Sequence, residues 1–268
     1  MLRLDVPRRA TINESPQLAR LVLEAEREKG PVEIDCSKTE TYGPFGVALL
    51  ASCFAMRRHQ GQPTTILPPA DPDALLLLEE TGLIRIANGE AEAPDEWQVH
   101  QVEMKGGKSA PDISTELLHP LASAKGTAPL VVQPCLSALL ENLYLWSESS
   151  VGGFVVVQWL KKGHKAKVAY VDRGVGIPAA LRRSPSSHLH RATDVDVVEA
   201  AFSDPHVTSR LEGASGQGLK TLRETVLSHH GKLTVVSLGA KVTWSSERLT
   251  KTASPALRGT AVELELSA

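Results

Sequence analysis

Val171-Asp172-Arg173-Gly174-Val175-Gly176-Ile177-Pro178 ends an apolar run and turns the chain sharply. Residues 166–171 read as a strand, and two glycines in quick succession stop it. An ionised Asp172 can only accept hydrogen bonds, so at a strand end it suits a donor-bearing ligand. Gly174 and Gly176 remove β-carbons that would keep such a ligand at a distance. Further on, Gly213-Ala214-Ser215-Gly216-Gln217-Gly218-Leu219 leads into a helical pattern that ends near His229-His230-Gly231. Gly216 and Gly218 leave bare N–H groups at that helix start, which favours phosphate oxygens through unsatisfied donors and the helix dipole.

Upstream of the turn, residues 131–148 read as a helix with Leu136, Leu139, Leu140 and Leu143 on one face and Glu141-Asn142 near its end. A strand over 154–160 and a turn over 161–164 join it to the Asp172 strand. Downstream, the pattern predicts strands over 232–237 and 241–245, then one opened by Gly259-Thr260 and running to 266.

The first ninety residues alternate strand-like and helix-like segments. Residues 3–12 read as a β-hairpin or strand pair, 14–29 as a helix carrying Leu18, Leu21, Val22 and Ala25, and 32–36 as a strand. A helix over 46–59 and a strand over 64–67 follow. Asp71 is a good N-cap before Pro72, and Gly82 can end the Leu-rich helix 73–81. Residues 88–128 are richer in Gly, Pro, Ser and charge and read as a linker, with a strand over 97–104 and a short helix over 111–119. The division is therefore 1–87, 88–128 and 129–268, in an α/β (α+β) chain. Gly106-Gly107-Lys108 lacks the Walker spacing and reads as a turn.

Composition narrows the function classes. A net charge of −2 lacks the basic footprint of a nucleic-acid binder, so direct nucleic-acid binding is not expected. No apolar run approaches the ~20 residues that span a bilayer, and the N-terminal residues lack the apolar core of a signal peptide; the chain reads as cytoplasmic, with no membrane partner. Three well-separated cysteines fit reduced buried thiols. His188 and His190 lack a completing third ligand for zinc.

The order of these motifs carries a resemblance. An Asn-bearing apolar helix, Asp-x-Gly-x-Gly-Ile after a strand, Gly-x-Gly-Leu at a helix start and a Gly-Thr strand resemble the Bergerat-fold (GHKL) family, which includes histidine kinases, DNA gyrase and anti-sigma kinases. The resemblance implies a C-terminal α/β sandwich binding ATP and Mg2+. Asp172 would read the adenine amino group, with Gly174, Gly176, Ile177 and Thr260 around the base. Gly216, Gly218 and Leu219 would hold the phosphates, and Asn142 would ligate the metal through a hard oxygen. Residues 178–212 would form the nucleotide cover. In the hydrolysing branches a Glu one helical turn before that Asn acts as base; here the position is Ala138, either the native residue or a deliberate replacement. Glu141, beside Asn142, points about 100° away and is a weak substitute.

Ile34-Asp35-Cys36-Ser37, the helix after it, and Thr65-Ile66-Leu67-Pro68-Pro69 resemble the STAS fold over residues 1–87. Phosphorylated members carry an Asp-Ser pair at the central helix start, where this chain has Gly43 and Pro44, so a docking scaffold is expected. Together the resemblances imply a nucleotide-gated regulatory switch acting on a protein partner or on self-association. The alternatives are an anti-sigma-type serine/threonine kinase and a partner-stimulated ATPase of a larger defence or DNA-handling assembly.

Overall fold

A computed structural model describes residues 1–89, 99–102, 109–118, 121, 128–160, 164–183, 189–204, 207 and 217–267. Its class is the mixed α/β arrangement expected, with one parallel and one antiparallel sheet of three or more strands.

In the N-terminal part β1 (Leu2–Asp5), β3 (Val32–Asp35) and β5 (Thr64–Leu67) form a parallel sheet in the order β1-β3-β5, with Leu4, Ile34 and Ile66 in register. The hairpin expected over 3–12 does not form. β1 pairs with β3, while β2 (Arg9–Ala10) pairs in parallel with β4 (Thr41–Tyr42). Pro7, which has no N–H to give a ladder, lies between the two segments and separates them.

Helix α1 (Ser15–Arg27) buries Leu18, Leu21, Val22 and Ala25, the stripe read from sequence. Helix α2 (Pro44–His59) is different: every residue from Pro44 to Arg57 is buried, so it has no solvent face. At its far end the buried Arg57 guanidinium donates to the carbonyls of Gly30 (2.8 Å) and Pro63 (3.1 Å), joining two loops. Asp71 caps α3 (Pro72–Glu80) by accepting from the Ala74 N–H at 2.9 Å. Gly82, at φ 72°, ends that helix and at once starts another, α4 (Leu83–Asn88), which the sequence reading did not separate.

The C-terminal sheet contains β6 (Val99–Val102), β7 (Gly153–Leu160), β8 (Lys165–Asp172), β9 (Lys232–Ser245) and β10 (Leu249–Ser267), antiparallel in the order β6-β7-β8-β10-β9. The two strands expected over 232–245 are one, continued through Leu238 at φ 47°, and β10 starts well before Gly259. Its register shifts between Ala253 and Thr260 absorb the mismatch.

Alternation assigns the two faces of this sheet. Val155, Val157, Val168, Tyr170, Val235 and Val262 join a core with α5 (Ala110–Glu116), α6 (Ala128–Asn142), α7 (Ile177–Arg182), α8 (Asp194–Ser203) and α9 (Gly218–Ser228). Phe154, Val156, Ala169, Val171, Val236 and Ala261 join a different core, shared with α1, α2, Leu4 and Ile34. The N-terminal part thus supplies the cover for one face of the C-terminal sheet. This explains the all-round burial of α2, which lies between the two sheets. Burial of that face is worth roughly 1.5–3 kcal/mol per large aliphatic or aromatic side chain.

Candidate functional site at the end of strand β8

Asp172 is the last residue of β8 and stands opposite Thr260 of β10. It is fully buried, with Oδ1 accepting from the Gly174 N–H (2.9 Å) and Oδ2 from the Tyr170 hydroxyl (2.9 Å). Burial pushes its carboxyl up to about 6, against the opposing pull of those donors, of the Thr260 backbone and of Arg173. Tyr170 is held well above the ordinary tyrosine range by burial and by Asp172.

The side chain of Asn142, the final residue of α6, lies near the Tyr170 hydroxyl and pulls against that rise. The structure therefore brings Asn142 and Asp172 together around Tyr170, a residue the sequence reading missed. The available signal was its position two residues before Asp172, on the same side of the strand. Beyond Asn142 the expected α-helix continues instead as a π-helical turn, Leu143–Ser147, closed by Glu148 at φ 54°. That turn presents the Ser147 carbonyl to the Val175 N–H at 2.7 Å.

Two of the motif glycines meet protein backbone. A β-carbon on Gly174 would stand 1.7 Å from the Ser147 oxygen, a clash no relaxation absorbs. Gly176, at φ 80°, lies against Gly259 and Ser237. Ser237 was also missed: its hydroxyl accepts from the Ile177 N–H (3.0 Å), donates to the Gly259 carbonyl (2.8 Å) and lies 3.3 Å from the buried Thr260 hydroxyl. It ties Ile177, the start of α7 (Ile177–Arg182), to the Gly-Thr segment.

Ala138 lies one turn before Asn142 and packs against the start of α9, where a β-carbon on Gly218 would be 3.7 Å from its own. Leu219 packs partly buried on the same core. Glu141 is exposed, turned away from this junction as the helical geometry requires. Gly216, with Gly213, Ala214 and Ser215, lies outside the described residues, as do His188 and the Gly106-Gly107-Lys108 turn.

Of the interval 178–212, residues 184–188, 205–206 and 208–212 lie outside the described residues, and the rest includes helical segments of α7 and α8. Thr193 caps α8 by accepting from the Asp196 N–H (3.2 Å), and the helix buries Val197, Val198, Ala201 and Phe202, with Phe202 5.1 Å from the Trp244 ring.

Arg173 points to the other face of the sheet. Its side chain is fully buried and pairs with Glu26 of α1, while Nε and Nη1 find no protein partner. Consecutive residues at this strand end thus address the two halves of the molecule.

The cysteines are free and buried, with burial raising Cys36 to about 11 and Cys53 and Cys135 to about 12, so they stay thiols near neutral pH. Among the described residues no group of three or more His, Cys, Asp or Glu could hold a metal ion, and no helix is long and apolar enough to cross a membrane. The chain matches no family model and no curated protein in comparisons with known proteins.

Proposed function

We propose that residues 129–268 form a Bergerat-type ATP- and Mg2+-binding domain, and that the chain is a cytoplasmic nucleotide-gated switch whose first 87 residues are a STAS-like module. The observation that carries this reading is the buried Asp172 carboxylate, hydrogen-bonded to Tyr170 with Asn142 near that hydroxyl, on a helix whose Ala138 meets the start of α9. A carboxylate has about four acceptor positions. Hydrogen bonds from Tyr170 and Gly174, with the Thr260 backbone also drawn to the carboxylate, leave about one position for an adenine amino group. Asn142 offers a hard amide oxygen, and Mg2+ commonly takes only one or two protein ligands beside phosphate and water. One such side chain fits that metal without a cluster of acids. The magnesium ion would neutralise phosphate charge when bound.

The switch reading draws on Arg173. Any shift of the β8 end on nucleotide binding acts on the Arg173–Glu26 pair, and so on α1 and the protein surface beyond it. Within the expected cover, α8 is anchored by Phe202 against Trp244. The partner surface of the switch is that of the N-terminal module, used for a protein partner or for self-association.

Calorimetry of the full chain with ATP and magnesium tests the reading. Asp172→Asn removes the charge and places an N–H where donors converge, and is expected to weaken ATP by about 10–100-fold, the worth of a charge-assisted hydrogen bond. Unchanged affinity in a folded variant would overturn it.

A further inference from the structure

The sheet face turned toward α1 and α2 changes character in three successive rows, each running directly across β7, β8, β10 and β9. The first row, Phe154, Val171, Ala261 and Val236, is wholly apolar and covered. The second row is Val156, Ala169, Glu263 and Thr234, and the third is Gln158, Lys167, Glu265 and Lys232. Over this polar end the cover consists of the turn at Thr11–Asn13 and the approach to α2 at Thr41–Pro44, and it encloses a cavity of about 330 Å³. That volume is at the small end of the range of about 300–1,000 Å³ found for small-molecule sites.

The charges in the cavity are arranged in depth. Glu263 is only 8% exposed, in a row where its strand neighbours are Ala169 and Thr234. Its carboxylate accepts from the Phe45 N–H at 3.2 Å, and burying it there is costly unless donors surround it. In the more exposed third row Glu265 is already held by Lys165 at 2.6 Å and Lys167 at 3.2 Å, and Lys232 is exposed. A carboxylate inside and an ammonium group outside match a ligand with a donor cation at one end and an anionic group at the other.

We propose that this cavity is a second ligand site, separate from Asp172, that takes a small zwitterion of amino-acid size, its ammonium group against Glu263 and its carboxylate against Lys232. The site lies on the opposite face of the sheet from Asp172 and at the other end of β8, so it does not depend on the nucleotide reading.

The test is calorimetry of the full chain with the twenty free amino acids, with glycerol and inorganic phosphate as controls. At least one amino acid is expected to bind. Glu263→Gln, which keeps an oxygen for the Phe45 N–H, and Lys232→Ala should each weaken it tenfold or more, N-acetylation of the ligand should do the same, and Asp172→Asn should leave it unchanged. If Glu263→Gln fails to fold, exposed Lys232 decides. Absence of amino-acid binding, binding indifferent to both variants, or binding of phosphate alone would overturn the proposal and leave Glu263 as a cap for α2.

Discussion

Asp172 and Glu263 are buried carboxylates on adjacent strands, and burial raises both above their ordinary range, yet they are held in opposite ways. The 2.9 Å donors to Asp172, Tyr170 and Gly174, lie two positions before and after it in the chain, and the Thr260 backbone on the adjacent strand adds to their pull. Glu263 is satisfied by Phe45, whose amide comes from the other half of the molecule. The first arrangement is a local turn that could form around a ligand; the second is a joint between two segments. A buried acid held mainly by its own strand end and the strand beside it is thus the stronger candidate for ligand recognition, and one that takes its donor from the other half of the molecule has a structural duty before any other.

The largest expected effect tests whether the Asp172 end handles nucleotide at all. Ala138 occupies the helix position from which a base would face the start of α9, so Ala138→Glu is expected to raise phosphate release from ATP by about 10²–10⁴-fold, the usual worth of general-base assistance. Fast release by the present chain, with no gain from the added carboxylate, would remove that assignment.

The contrast between local and distant partners is sharpened by Glu26→Ala. Arg173 would be left buried without its counter-ion, at a cost of about 3–5 kcal/mol, read as a lower urea midpoint. Replacing both residues, Glu26→Leu with Arg173→Met, should cost much less. Equal losses in the two variants would show that volume, and not uncompensated charge, sets the penalty.

Acid titration separates the two carboxylates next. With a folded value of about 6, Asp172 holds its proton more tightly in the folded chain than in the unfolded one. Its contribution to stability is therefore greatest below the unfolded value near 3.8 and is lost as pH rises toward 6. The loss is on the order of 3 kcal/mol, and Asp172→Asn should flatten that part of a Tm-against-pH curve. Glu263 is raised in the same direction, so a residual slope in Asp172→Asn that disappears on adding Glu263→Gln would assign the remainder.

The smallest expected effect calibrates a purely local contact. Thr193→Ala deletes the α8 cap and is expected to cost about 1 kcal/mol, measured by denaturant unfolding. A much larger loss would mean that α8 supports the core beyond its own cap.

These contrasts track what the sequence could reveal. The stripe of α1, the Asp71 cap and the end of β8 at Asp172 follow from short-range patterns, and the structure agrees with them to within a residue or two. The β1 pairing, the joining of 232–245 into one strand and the cover that α1 and α2 give the C-terminal sheet all depend on partners far along the chain, for which no local spacing exists. Candidate residues divide the same way. Asp172 was legible from its glycines, although those glycines prove to meet the Ser147, Ser237 and Gly259 segments. Ser237 is one polar residue among several on its strand, and the alternation Val262-Glu263-Leu264-Glu265-Leu266 reads as a row of glutamates facing solvent, so neither carries a local mark of burial.

The all-round burial of α2 also has a consequence for how the protein is made. Part of the surface that finally covers it comes from the last-synthesised half, and the sheet is complete only with β10. At about 5–20 residues per second, the roughly 200 residues between His59 and Ser267 take about 10–40 s to synthesise. During that interval α2 is sheltered by α1, α4 and the small parallel sheet, and the side that later meets β7, β8 and β10 stays open to water.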